Sequence, residues 1–200
     1  AGITGDDGPS HHGIYDMALL CKVPGMRVLA PSSAQDLQQM LHDTMSLVDD
    51  GPVMIRYPKG AARQVSEHEV GVGLHARRAR EGSGDLCILA VGKMLAAAER
   101  AAETLATQGV SATVWDVRSC TPLDTDMISD AARHRVVITA EDGIREGGVG
   151  MSIEDAISEC CTPESQRPYV EVLGVPTKFI PQAKPDVILR QLGLDAEGIA

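Results

Sequence analysis

The run Leu86-Cys87-Ile88-Leu89-Ala90-Val91 contains no polar side chain. Successive residues of a strand point to opposite faces, so such a run must be covered on both sides, as in a parallel sheet flanked by helices. The residues that follow repeat the theme. Met94 to Gln108 is rich in Ala and Glu and closes at Gly109, where a left-handed residue is favoured, which predicts a helix. Ala112 to Val117 predicts a strand, Thr125 to Ala132 a short helix, and Val136 to Thr139 another strand. The Gly-rich stretch Gly143 to Gly150 then opens a helix running to about Glu159. Tyr169 to Leu173 reads as a strand, and a last helix lies near Asp186 to Leu192. Strands regularly separated by helices imply right-handed crossovers and a doubly wound parallel sheet.

The N-terminal part carries the same alternation. Arg27 to Ala30 is a short apolar strand ended by Pro31, and Ser32 or Ser33 supplies a helix N-cap. Leu37, Met40, Leu41, Met45 and Val48 follow at three-to-four spacing, one apolar helix face. Asp49-Asp50-Gly51-Pro52 is a stop and turn, and Val53 to Tyr57 is the next strand. Lys59 to Asp85 lacks either period and reads as a linker with room for one short strand. The expected organisation is two α/β units, residues 1–60 and 85–200, joined by a linker at 61–84.

A net charge of −10 argues against nucleic acid or an anionic membrane as partner, because phosphate binding needs a basic stripe. The densest basic run, His75 to Arg80, is short. Five cysteines without Cys-x-x-Cys spacing suit neither a disulfide framework nor a zinc site, and fit a reducing compartment. Cys87 reads as a small core residue. With no long apolar stretch and no signal peptide, the expected location is the cytoplasm.

Several residues could carry chemistry. The pair His11-His12 beside Gly8-Pro9 either shapes a turn or moves protons, and imidazole is the side chain suited to proton transfer near neutral pH. A zinc site would need further ligands at suitable spacing, and none is evident. Asp7 before Gly8 is either a turn former or a hydrogen-bond acceptor for a hydroxyl. Arg56 and Lys59 follow a strand, the place where ligands of open α/β sheets gather, so they are either ion-pair partners or an anion grip. Gly143 to Gly150 at a helix start could bind an anion, yet its spacing fits neither a Walker loop nor a dinucleotide fingerprint.

Two sets of segments carry a family likeness. Asp6-Asp7-Gly8-Pro9-Ser10-His11-His12-Gly13-Ile14-Tyr15-Asp16, Val23-Pro24-Gly25-Met26 and Arg56-Tyr57-Pro58-Lys59-Gly60 resemble the pyrimidine-binding domain of the deoxyxylulose-phosphate synthases, transketolase-like thiamine-diphosphate enzymes. Val91-Gly92-Lys93-Met94, Asp116-Val117-Arg118 with Pro122-Leu123-Asp124, Ala140-Glu141-Asp142-Gly143 and Gly147-Gly148-Val149-Gly150-Met151 resemble the transketolase C-terminal domain. The likeness covers nearly the whole chain.

The resemblance implies a transferase that condenses pyruvate with glyceraldehyde 3-phosphate, losing carbon dioxide, to make a precursor of isoprenoids, thiamine and pyridoxal. It implies thiamine diphosphate and magnesium as cofactors and a homodimer as the working form. His11 takes the place of the family's active-site histidine and Asp7 that of an acidic residue four positions earlier, while Arg56 and Lys59 would hold the substrate phosphate. The family usually has arginine where this chain has Lys59, which keeps the charge and loses the bidentate fork. His12 falls at a variable position, and Glu141 with its loop would be structural. Family members are roughly three times longer, and the elements that bind diphosphate and metal lie upstream in them, so this chain alone is expected to be inactive. The beta subunit of a 2-oxo acid dehydrogenase, a true transketolase and a non-catalytic dimerisation module are the competing readings.

Overall fold

A computed structural model of the chain describes residues 1–47, 51–162 and 167–200. The apolar run at 86–91 is the centre of the larger sheet. That sheet holds β3 (Arg77–Arg80), β5 (Ala112–Asp116), β4 (Leu86–Ala90), β7 (Val136–Ile144) and β8 (Tyr169–Val175), in that spatial order. β5, β4, β7 and β8 run parallel, and β3 joins the edge antiparallel to β5. From β4 the chain goes first to β5 on one side and later to β7 on the other, a doubly wound order with its switch point at β4.

Every residue of β4 is buried, and its two faces feed two cores. Leu86, Ile88 and Ala90 pack with α3 (Leu95–Thr107), α6 (Pro185–Gln191) and α7 (Ala196–Ile199). Cys87 and Leu89 pack on the other side with α4 (Thr125–Ala131) and α5 (Val149–Cys160). The α3 face against the sheet is Leu95, Ala98, Ala101, Ala102 and Leu105, so small side chains let the helix lie close. At its end Gly109 takes φ +82°, and Val110 N–H donates back to Leu105 O at 3.0 Å.

The smaller sheet has the order β2 (Val53–Ile55), β1 (Arg27–Leu29), β6 (Ser119–Thr121). β1 and β2 are parallel, and β6 is antiparallel to β1. β6 belongs to the second half of the chain. The backbone leaves the larger sheet at Asp116, turns at Arg118 with φ +55°, and enters the smaller one. One segment therefore stitches the two units together, a strand that three residues of unremarkable composition did not announce.

Before β1 comes the short helix α1 (Asp16–Leu20), and after it α2 (Ala34–Leu47). Ser33 is the cap of α2, its Oγ accepting from Asp36 N–H at 3.1 Å, while the Ser32 hydroxyl donates to Asp116 at 2.5 Å. Of the expected apolar face Met40 is buried, whereas Leu41 and Met45 are exposed. Val48, Asp49 and Asp50 lie outside the described residues.

The stretch expected as a linker, 61–84, is fastened at both ends. It contains a 3-10 turn at Glu67–Glu69 and strand β3, whose basic side chains concealed its backbone pairing to Asp116, Trp115 and Val114. Arg78 lies over the Trp115 ring at 4.9 Å. The carbonyls of Val72, Gly73 and His75 all accept from Arg118 Nη1. Arg118 is fully buried and also pairs with Asp36 at 2.8 Å.

Candidate functional site

The segment quoted for its histidines forms a closed loop. Gly2 and Gly13 exchange two backbone hydrogen bonds, of 2.8 and 2.9 Å, at its base. Gly5 (φ +86°) and Gly8 (φ +75°) turn the chain, with Gly8 N–H donating to Gly5 O and His11 N–H to Gly8 O. Asp7, Ser10 and His11 stand exposed on the outside. His11 Nδ1 lies 3.0 Å from Ser10 Oγ. His12 turns inward and is buried, its Nδ1 accepting from Thr4 N–H at 3.1 Å. The variable position left either solvent exposure or packing open for His12, and the structure makes it a packing residue of the loop.

Beneath the loop lies a buried charge cluster. Arg56 follows β2 and, by the strand's alternation, points inward while Tyr57 points out. Its Nε meets Asp16 at 3.2 Å and its Nη1 meets Asp142 at 2.5 Å. Lys93 reaches the other oxygen of Asp142 at 2.7 Å. Burial alone would raise the Asp142 carboxyl, but the charges of Arg56 and Lys93 outweigh it and hold the pKa at about 2. Burial likewise works against the Arg56 charge, and Asp142 and Asp16 overcome it and raise the pKa. The loop rests directly on this cluster. A Cβ on Gly2, whose φ is +68°, would stand 1.8 Å from Asp142 Oδ2 and 2.9 Å from Arg56 Nη2.

The four expected site residues thus separate into two layers. Asp7 and Lys59 meet at the surface as an exposed ion pair. The Lys59 contact is the chief reason the Asp7 pKa is lowered, and His11 adds to it, so all three lie within electrostatic reach. Arg56 is not with them. It is only 3% exposed and its guanidinium meets two carboxylates beneath the loop, so it faces inward where Lys59 faces solvent. Its partners are 40 and 86 residues away, and neither distance can be read from a local motif. Asp16, Lys93 and Asp142 were all inside the segments carrying the family likeness, but nothing local marked them as one cluster.

Lys59 also lines a cleft of ≈ 690 Å³ between the two units. Its walls are the 57–63 loop, the start of α2, Lys93 and Ala96, and Pro185 and Leu189 of α6. His11 lies outside this cleft's lining, on the neighbouring loop. Gly5 of that loop is pressed against Pro185 and Ala183 O, where a Cβ would come within 2.6 Å of the first and 3.0 Å of the second.

The Gly-rich loop between β7 and α5 is shorter than expected, because Gly143 and Ile144 complete β7 and Val149 begins α5. The start of α5 already holds a carboxyl group of the protein's own. Glu141 is buried and its Oε1 accepts from Gly150 N–H at 2.9 Å. Burial pushes the Glu141 pKa up to about 7 despite the hydrogen bonds from Gly150 and Val149. Gly148 is pressed against the same carboxylate, with Oε1 2.5 Å from where a Cβ would be. The carboxyl ends of the larger sheet, where ligands of such folds usually bind, are occupied by the first unit instead: Ile144 N–H donates to Ile14 O, and Asp142 holds Arg56.

Among the described residues there is no group of three His, Cys, Asp or Glu side chains placed to hold a metal ion. No helix among them is long and apolar enough to cross a membrane.

Comparison with known proteins agrees with this architecture. Residues 1–64 match the family described as transketolase, pyrimidine binding domain, and residues 74–199 match transketolase, C-terminal domain. The chain is 40% identical over 204 residues to the 1-deoxy-D-xylulose-5-phosphate synthase of Thermobifida fusca, covering 100% of this chain and 31% of that protein. It is 38% identical over 207 residues to 1-deoxy-D-xylulose-5-phosphate synthase 1 of Geobacter sulfurreducens, again covering 100% of this chain and 31% of the relative. The chain therefore spans about a third of the length of these curated relatives. Among solved structures, one described as a split gene transketolase, inactive beta4 tetramer, is similar with a TM-score of 0.85 and 29% identity, over 96% of this chain and 61% of that one.

Proposed function

The chain belongs to the transketolase family, with its pyrimidine-binding and C-terminal domains, and on that premise we propose that it is the acceptor-handling part of a 1-deoxy-D-xylulose-5-phosphate synthase. The reaction is the condensation of pyruvate with glyceraldehyde 3-phosphate, with loss of carbon dioxide. The observation that carries the proposal is the loop closed at Gly2 and Gly13. It displays Asp7 and His11 together, sets Lys59 opposite Asp7, and rests on a fixed ionic base.

In this proposal thiamine diphosphate, when bound, supplies the electron sink that makes a two-carbon nucleophile from pyruvate. The remaining work belongs to this chain's own side chains. His11 donates a proton to the aldehyde oxygen of the acceptor as negative charge builds there. Asp7 accepts a hydrogen bond from the acceptor hydroxyl and fixes its orientation. Lys59 is the cation for the acceptor phosphate. Its present bond to Asp7 is exposed, so solvent screens it and a dianion can compete for the ammonium group. The floor of Arg56, Asp16, Asp142 and Lys93 keeps the loop from shifting as charge moves above it.

The proposal assigns diphosphate and magnesium to residues outside these 200. A homodimer and a cytoplasmic location complete the proposal. Leu19 on α1 and Met151 on α5, both exposed, supply apolar surface for a partner, and Lys22 just beyond α1 donates to Ser152 Oγ of α5. Product analysis tests the function. The native-length protein, given pyruvate, glyceraldehyde 3-phosphate, thiamine diphosphate and magnesium, is expected to release carbon dioxide and form the five-carbon ketose phosphate. Acyl transfer to lipoyl groups, or exchange between ketoses, would contradict it.

A further inference from the structure

We propose that His12 is the positioning residue of the loop that carries His11, acting as a neutral ring with its proton on Nε2. The proposal rests on the assignment of His11 above and concerns a residue to which the resemblance gave no task. Adjacent histidines in this loop have opposite surroundings: His11 is exposed and His12 is 9% exposed. His12 Nδ1 stands 3.1 Å from Thr4 N and 3.3 Å from Thr4 Oγ1. A backbone N–H can only donate, so Nδ1 must offer its lone pair, and in a neutral imidazole the proton then sits on Nε2. That Nε2 is enclosed and has no partner among the described residues. Turning the ring over would set a C–H against the Thr4 donor, so one orientation is fixed.

The place of this bond gives it its effect. The Gly2–Gly13 pair is the last backbone rung across the base of the loop. Beyond it the two arms diverge toward the turns at Gly5 and Gly8, and the His12 side chain reaches across to supply the next rung. One peptide separates that rung from His11, so the direction of His11 is set by how firmly His12 is held. On the outer side Gly5 abuts Pro185 and Ala183 O, which leaves the Thr4 arm little room to follow if the ring lets go.

Two substitutions separate this role from general packing. His12→Asn keeps an acceptor oxygen near the position of Nδ1, and His12→Leu keeps bulk with no acceptor. In the 200-residue chain, nitrogen and proton NMR of the wild-type ring is expected to show an unprotonated Nδ1 and a slowly exchanging Nε2–H. Amide exchange at Thr4 is expected to speed up about tenfold in His12→Leu, the scale of one net hydrogen bond, and to stay within about threefold of wild type in His12→Asn. Amides of Ile88 and Val114 serve as the folding control and should not change. In native-length protein His12→Leu is expected to lower kcat about tenfold with KM for pyruvate unchanged, and His12→Asn to restore most of it. A ring protonated on Nδ1, or Thr4 exchange equally slow in His12→Leu, would overturn the proposal. If wild-type protein forms no ketose phosphate, the functional assignment fails on its own, while the ring and exchange measurements still decide the lock.

Discussion

Replacing Arg56 by Met removes a guanidinium whose side chain is 1% exposed and which meets Asp16 at 3.2 Å and Asp142 at 2.5 Å. Met matches the length of the stem, so little volume is lost and the effect is mainly electrostatic. Asp142, fully buried, is left with Lys93 alone at 2.7 Å. Removing one partner of a buried pair typically costs about 3–5 kcal/mol. The depression of the Asp142 pKa from 3.8 to about 2 corresponds to about 2 kcal/mol, shared between both cations. The expected loss is therefore about 2–5 kcal/mol. With a urea slope of about 2 kcal/mol/M, the unfolding midpoint at pH 7 moves down by about 1–2.5 M. Adding Asp142→Asn to Arg56→Met removes the stranded charge, so the double variant should recover at least about 1 kcal/mol relative to additivity. Urea unfolding followed by far-UV circular dichroism measures all three proteins. A loss in Arg56→Met below about 0.5 kcal/mol, or strict additivity in the double variant, would refute the supporting role given to Arg56.

Four further outcomes follow from the same geometry. Glu141 has a folded pKa of about 7 against 4.5, so the folded state binds its proton more tightly than the unfolded chain does. Its contribution is fully present below pH 4.5 and is lost as pH rises to about 7, and Glu141→Gln should flatten that decline by up to about 3 kcal/mol in unfolding titrations. Asp142 acts in the opposite window, since its depressed pKa gives stability that is present above pH 3.8 and lost as pH falls through about 2. Gly2→Ala would drive a Cβ into Asp142 at an unfavourable φ of +68°, at an expected cost of about 2–4 kcal/mol with faster amide exchange in the loop. Lys59→Met should leave the unfolding midpoint unchanged, because the side chain is 58% exposed, and should raise KM for a phosphorylated aldehyde more than for its unphosphorylated analogue.

What could be read from the residues, and what could not, divides by distance along the chain. The run at 86–91 announced its own burial, and Gly109 its helix end, because both are local matters of periodicity and backbone freedom. Ser33 was one of two expected caps for the same reason. β6 escaped notice because its pairing with β1 is decided by residues at least ninety positions apart. The linker left room for one short strand, but its place at Arg77–Arg80 was not legible, because an edge strand paired through its backbone can carry arginines on both faces. At the site, Asp7, His11 and Lys59 could be named from their motif, and the structure does bring the first and last together. Arg56 sits within the same motif and looks alike in sequence. Only its partners Asp16 and Asp142 show that its charge faces inward. His12 illustrates the converse, since a histidine at a variable position became the inner rung of the loop once Thr4 was seen beside it.

The most direct test is the value of kcat/KM for glyceraldehyde 3-phosphate in native-length protein, wild type against His11→Ala, with decarboxylation of pyruvate followed in parallel. A proton donor to the acceptor oxygen should be worth about a hundredfold or more in the condensation step, so product formation is expected to collapse by that factor with the fold intact by circular dichroism. Equal turnover in the two proteins would mean that the ring at position 11 takes no part in capturing the aldehyde.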